Sequence, residues 1–527
     1  MGATMIEWHW MLPLCVGGIV SLAMESLLHP RPRLWGRKPW TYLVHSGLWL
    51  LLFTLLLAIV QRPVFAALVV LGFWLTVILV GNAKEASLRE PFVFMDFEYF
   101  TDAFKHPRLY LPFLGVGRVA GIALIVVGVI TAALWAEWPL TAFIRAGVFW
   151  EGIGVSLALA MLLLWLGSRW AEKPSLHPYE DVRNMGFAPS LWCYGWVERQ
   201  PITLPSARFF GETSFSGEEG ASSAEIGLAH LVVVQSESFF DARRLWPWIQ
   251  PEVFSDLDWA RSMAYMSGRM HVPPWGANTI RTEFAFLSGW SPDSLGIHRF
   301  QPYRRLVRRP IPTLASYLRT RGYRTICIHP YPSNFYARDR IYPLLGFDAF
   351  LDIAEFASAD RYGPYTSDAS LAQKALEILK AAEQPTFLFI ITMENHGPLH
   401  LETISDDERA RILSQVPAMG GDELAIYLRH LRNAGHMLRT LIEGLDALSG
   451  PAALAFYGDH VPILEKLYAM NDFNDGCTDY WLWSSSRRPD VFREQELNVE
   501  DLGVRLLQLA GTRDVGDAGW KDRGLAN

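Results

Sequence analysis

Three short stretches carry residue types that together can handle a phosphate ester. In VVVQSES an apolar run ends at Glu237, and in FYGDHVP another ends at Asp459 and His460. Between them the loop WGANTIRTEF carries Thr279. Two carboxylates, an imidazole and a hydroxyl suit a hard divalent cation with an activated nucleophile beside it. Each residue also has an ordinary reading: Asp-His as a loop turn, Glu237 as a surface acid, Thr279 as one more loop hydroxyl. For Glu237 the position weighs against it, since a charge following a fully apolar strand must be paired or coordinated. Gly276 and Asn278 suit a tight turn that exposes the side chain of Thr279. Arg338, in SNFYARD, is either a surface residue or a clamp for phosphate oxygens. His396, in MENHGPLH, is either a satisfied loop histidine or a group that stabilises charge or protonates a leaving group.

The elements that must position these residues alternate between strand and helix. HLVVVQ is a short continuous apolar run, the mark of a strand buried on both faces. PTLASYLRTRGY reads as an amphipathic helix ended by Gly322 and followed by the strand YRTICI; SLAQKALEILKAAEQ is followed by TFLFIIT. A long helix over about 422–448 leads into AALAFY. Repeated units of this kind predict an α/β domain with a mostly parallel sheet flanked by helices. Glu237, His329, His396, Asp459 and His460 all fall just after a predicted strand, where such sheets gather their ligands.

The N-terminal third has a different character. Five apolar stretches, roughly 8–28, 40–60, 64–82, 111–135 and 146–168, are each long enough to cross about 30 Å of hydrocarbon. Trp8, Trp10, Trp40, Tyr42, Trp135, Trp138, Trp150 and Trp170 near their ends fit interfacial belts. Glu25 and His45 lie inside apolar segments, as functional groups or as helix-packing ones. The expected organisation is a transmembrane domain over 1–170, a linker over 171–228 that includes SFSGEEGASSAE, and a catalytic domain over 229–527. The net charge of −7 gives no sign of a nucleic-acid partner. The four cysteines show neither CxxC nor zinc-knuckle spacing, so no disulfide framework is expected.

Taken together, the motifs make the chain resemble the lipoteichoic acid synthase family, membrane phosphoglycerol transferases of the alkaline phosphatase/sulfatase superfamily. Glu237-Ser238 matches that family's strand followed by Glu-Ser, and Thr279 with Glu283-Phe284 matches its nucleophile loop. His329 with Phe335, Tyr336, Arg338 and Asp339, then Asn395-His396, then Tyr457-Gly458-Asp459-His460 follow in the family's order, and the loop from Asn82 to Asp96 is similar to one common among members. The resemblance implies one divalent cation, most often manganese with zinc or magnesium as alternatives, held by Glu237, Thr279, Asp459 and His460. It implies that Thr279 attacks phosphatidylglycerol, and that His329, Tyr336, Arg338 and His396 hold the phosphoglycerol group. The acceptor would be an envelope glycan or a polyglycerophosphate chain. The chain departs from the family at Asn278, where some members carry Lys, at Tyr336, which can be Trp, and at Tyr331, where an acid occurs.

Two further readings compete: a phosphoethanolamine transferase of the same superfamily, and an inactive lipid- or glycan-binding module. A true sulfatase is excluded, because no C/S-x-P-x-R motif is present. Sidedness sets two rules against each other. Arg31, Arg33, Arg37 and Lys38 after the first stretch, and Lys84, Arg89, Lys105 and Arg108 after the third, put the catalytic domain in the cytoplasm by the positive-inside rule. The family works on the extracytoplasmic side of the bacterial inner membrane, and long domains translocate largely regardless of charge, so that side is expected.

Overall fold

The computed structural model describes residues 10–98, 100, 121–210, 229–356, 358–487 and 493–511, apart from six single positions between 122 and 133. The chain forms two compact units, Met1–Pro201 and Ile202–Asn527.

In the first unit, three helices among the described residues are long and apolar enough to cross a membrane: Pro39–Val60, Pro63–Leu88 and Ala146–Trp170. Proline at the first helical position starts two of them, where its missing N–H costs nothing. They correspond to three of the five expected spans. The stretch at 8–28 is instead a 14-residue helix, Met11–Met24, continued by a 3₁₀ turn over Glu25–Leu27. That helix rises only about 21 Å, short of the hydrocarbon thickness. The stretch at 111–135 lies largely outside the described residues; its described positions are helical.

Glu25 and His45 serve packing. Glu25 pairs with Arg37 at 2.6 Å and His45 at 3.3 Å, and it accepts the backbone N–H groups of Phe187 and Ala188. Those two amides open the helix Phe187–Glu198, where a carboxylate meets the positive end of the helix dipole. The family-like segment from Asn82 to Asp96 begins as helix. Lys84 closes its turn, bonding Glu90 and Asp96 at 2.6 Å each.

The second unit is built on a nine-stranded mixed sheet in the order β10-β2-β9-β8-β1-β7-β3-β4, with β11 also paired to β2. The strands are β1 (His230–Ser236), β2 (Met266–His271), β3 (Arg324–Ile328), β4 (Ala349–Leu351), β7 (Thr386–Ile391), β8 (Ala452–Gly458), β9 (Thr478–Ser484), β10 (Arg493–Glu494) and β11 (Leu497–Asn498). A separate hairpin pairs β5 (Arg361–Tyr362) with β6 (Tyr365–Thr366). The central run β4-β3-β7-β1-β8 is parallel, as expected; β9 is antiparallel to both of its neighbours.

Alternate residues of β1 face two separate cores. Val232 and Val234 join one, with the helices Asp368–Lys380 and Gly421–Asp446. Leu231 and Val233 join the other, with the helices Thr279–Ser288 and Val499–Leu509. Burying each such side chain contributes about 1.5–3 kcal/mol, and a one-residue slip of β1 would exchange its two faces.

Candidate metal and phosphoryl-transfer site

The register of the parallel strands brings the candidate residues together. Ser236 of β1 lies beside Gly458 of β8, so the next residues, Glu237 and Asp459, leave the sheet side by side. On the other flank, Gln235 is in register with Ile391 of β7, and the following Thr392 accepts the N–H of Glu237 through Oγ1 at 2.9 Å. Ligand atoms of Glu237, Asp459 and His460 all lie within 4.8 Å of one another, and all three side chains are buried.

Local backbone chemistry fixes this corner. Ser238 takes a left-handed φ of 54° and donates its N–H to Asp459 Oδ1 at 2.9 Å; its hydroxyl donates to Glu237 Oε1 at 2.9 Å. Gly458 admits no side chain, since a Cβ there would stand 1.8 Å from the Phe239 carbonyl oxygen. His460 turns Nδ1 to the Val461 carbonyl at 3.0 Å, which leaves the Nε2 lone pair toward Asp459 Oδ2 at 3.3 Å and Glu237 Oε1 at 3.5 Å.

These residues fit a cation. Asp459 Oδ2 is buried and has no hydrogen-bond partner, whereas buried polar atoms are normally satisfied. Burial, and then the nearby Asp459 charge, push the Glu237 carboxyl up to about 8. Two oxygens and one imidazole nitrogen are donors that manganese, magnesium and zinc all accept, so the donor set does not choose among them.

Thr279 opens the helix Thr279–Ser288, directly after Gly276 and Asn278, which take φ of 70° and 67°. The expected turn is there. One turn further on, Thr282 donates its hydroxyl to the Asp459 carbonyl at 2.7 Å. Residues three apart share a helix face, so Thr279 and Thr282 lie on one side of the helix. Thr279 itself is partly buried.

Arg338 is fully buried and tightly held. Its Nη2 donates to Glu283 Oε2 at 2.7 Å, and Nη1 lies 3.2 Å from His329 Nε2. Tyr303 donates its hydroxyl to the same Glu283. His329 gives Nδ1–H to the Ile391 carbonyl at 3.1 Å, so both of its ring nitrogens are engaged. Burial and the Arg338 charge hold this imidazole well below its ordinary pKa, hence neutral. Tyr336 and Ala337 both take left-handed φ, 54° and 53°, and the Arg338 guanidinium lies 5.2 Å from the Tyr336 ring centre. Such backbone strain in non-glycine residues clusters at functional sites.

His396 places Nδ1 2.6 Å from the Gly397 carbonyl and 3.4 Å from the Tyr365 hydroxyl. Burial lowers its pKa, against the Gly397 bond and the Asp459 charge, which act in the opposite direction. The Glu283–Tyr303 support, Thr392, Thr282 and Tyr365 were not singled out in the sequence. Glu283 was visible only as part of a motif.

The sulfatase family pattern matches residues 230–512, over half of the chain. The capsular polysaccharide biosynthesis protein RkpI of Rhizobium meliloti is 29% identical over 451 residues, 82% of this chain and 79% of its own length. A putative cyclic beta-1,2-glucan modification protein of the same organism is 25% identical over 78% of this chain and 66% of its own. Among solved structures, the integral membrane lipooligosaccharide phosphoethanolamine transferase A of Neisseria meningitidis matches with a TM-score of 0.51 at 14% identity, over 96% of this chain and 95% of that one. At that identity the likeness concerns the fold, and it extends across both units. The chain belongs to the sulfatase family of the alkaline phosphatase superfamily.

Proposed function

We propose that the protein is a membrane-anchored phosphoglycerol transferase that moves glycerophosphate from phosphatidylglycerol to an envelope glycan or polyglycerophosphate acceptor. One observation carries the reading: the Glu237–Asp459–His460 group, whose Asp459 Oδ2 has no hydrogen-bond partner among the described residues, is joined through Thr282 to the helix that Thr279 begins. The order of motifs and the three apolar helices support a lipid donor.

Thr279 Oγ attacks the phosphorus, and the bond from phosphorus to the diacylglycerol oxygen breaks. The threonine proton leaves with diacylglycerol, and glycerophosphate stays on Thr279 as an ester. An acceptor hydroxyl then attacks the phosphorus, the bond to Thr279 breaks, and the threonine recovers a proton. A divalent cation held by Glu237, Asp459 and His460, with Thr279, supplies charge neutralisation and makes the hydroxyl more acidic. Arg338 offsets charge on the phosphoryl oxygens, and His329 orients Arg338. His396, neutral and tied down at Nδ1, takes a proton at Nε2 from each attacking hydroxyl and returns it to the departing oxygen. Tyr336 covers the headgroup. The catalytic unit works on the extracytoplasmic side, and manganese is the expected ion.

The test is transfer of a labelled headgroup from lipid vesicles to water-soluble envelope glycan. Label delivered from phosphatidylglycerol, and lost in Thr279→Ala, supports the reading. Delivery only from phosphatidylethanolamine assigns the protein to the alternative transferase class. No transfer from either lipid by folded, metal-loaded protein overturns the enzymatic reading in favour of a binding module.

A further inference from the structure

We infer that His271, Cys477 and Glu496 form a second cation site, for a thiophilic divalent ion of which zinc is the type. It shares no residue with the group around Glu237, and the inference does not depend on the proposed transfer reaction.

Three adjacent strands place the ligands. Met270 of β2 is in register with Thr478 of β9, so His271 and Cys477 follow as the next cross-strand pair. On the other side of β2, Leu497 and Asn498 of β11 are in register with Met270 and His271, and Glu496 immediately precedes them. One ligand atom from each residue lies within 4.8 Å of the other two. His271 ends β2, Cys477 immediately precedes β9 and Glu496 immediately precedes β11, so strand pairing fixes where each ligand starts.

The bonding within the cluster already has the form a metal site needs. His271 Nε2 lies 2.6 Å from Glu496 Oε1, and Nδ1 lies 3.3 Å from Cys477 Sγ. The ring therefore donates Nε2–H to a carboxylate and presents its Nδ1 lone pair to the sulfur. A carboxylate on one nitrogen with an ion on the other is the usual setting of a metal-binding histidine. A tetrahedral ion on Nδ1 and Sγ would hold those atoms about 3.5 Å apart, within a few tenths of an ångström of their present separation. Glu496 is half-exposed and orients the ring through Nε2, which leaves the remaining positions of the ion to water.

Arg269 opposes a bound cation by its charge and reaches Cys477 as well as its ion-pair partner Asp475, so the ion must displace it from the sulfur. Burial and Asp475 push the Cys477 thiol up to about 11, so the ion would enter by displacing one proton from Sγ. The consequence reaches the nucleophile loop. Gly476, next to Cys477, packs so closely on Trp275 that a Cβ there would lie 3.1 Å from the indole ring, and Trp275 stands four residues before Thr279.

Cobalt(II) tests this, because a cobalt–thiolate bond gives a near-ultraviolet charge-transfer band and the Glu237 group has no thiol. Reduced, chelator-stripped full-length protein titrated with cobalt should develop that band with about one equivalent. Cys477→Ser should abolish it. His271→Ala, at a half-exposed ring, should weaken cobalt binding at least tenfold, roughly the cost of losing one ligand. Asp459→Asn should leave the band intact. Absence of the band in the wild-type protein overturns the inference. So does its persistence in Cys477→Ser, which would place the ion on Cys15, Cys193 or Cys327. If Cys477→Ser does not fold, His271→Ala decides alone, and unchanged affinity there overturns the inference.

Discussion

Two buried charge clusters meet the parallel sheet, one just after β1 and β8 and the other at His329 just after β3, and they are built on opposite principles. Around Arg338 the groups saturate one another: the guanidinium meets Glu283, Tyr303 completes Glu283, and His329 has both nitrogens engaged. Around Glu237 they do not. Two carboxylates face one imidazole, Asp459 Oδ2 has no hydrogen-bond partner among the described residues, and the Glu237 carboxyl is held well above its ordinary range. The first cluster is a finished scaffold. The second sets two carboxylates against one imidazole, an arrangement that a cation would complete. A buried charge can serve stability or function, and the count of its partners tells which.

The largest effect expected is on transfer. Thr279→Ala should reduce turnover by about 10⁴-fold or more, as loss of a covalent nucleophile does, with the fold unchanged by circular dichroism. A fall of only tenfold would remove Thr279 from the nucleophile's role.

Stability separates the clusters next. Glu283→Ala strands a fully buried guanidinium and should cost about 3–5 kcal/mol, read from denaturant unfolding. Asp459→Asn should act in the opposite sense in metal-free protein, stabilising it by about 1 kcal/mol because the repulsion between two buried carboxylates is relieved, while abolishing divalent-ion binding. If both substitutions destabilise equally, the contrast between the clusters is wrong.

The smallest effect concerns pH. His430 lies 3.0 Å from both Glu394 and Glu402. Burial opposes its charge, but bonds to those two carboxylates outweigh it and raise its pKa. Its ion pairing therefore stabilises fully below the unfolded value of about 6.5 and is lost as pH rises through the higher folded value. The stability gap between wild type and His430→Gln should shrink on going from pH 6 to alkaline pH. A gap that widens would contradict the assignment.

Residues of both clusters were legible in the sequence, but the pairing that completes the Arg338 cluster was not. Unbroken apolar runs identify β1 and β8, and a charge directly after such a run has nowhere ordinary to go, so Glu237 and Asp459 announce themselves. Gly276 and Asn278 spell the turn before Thr279 in local chemistry. The Glu283–Arg338 pair spans 55 residues of sequence, and no spacing rule joins its members. Tyr365 rides on a two-residue strand too short to show a period. The helix Phe187–Glu198 is buried on nearly every side, so it lacks the polar face that would reveal it within a mixed segment. In the first unit, the 14-residue opening helix borrows apolar length from the 3₁₀ turn and from Glu25, which is buried by pairing and not by lipid.

The central claim, that the unsatisfied cluster serves a threonine which carries the headgroup, is tested most directly by intact mass. Full-length protein would be incubated with phosphatidylglycerol and manganese, without acceptor, beside Thr279→Ala. The account predicts an increment of about 154 Da, one glycerophosphate ester, in the wild type and none in the variant. An increment of about 123 Da from phosphatidylethanolamine alone would change the donor while keeping the nucleophile. An adduct that survives in Thr279→Ala would contradict the account.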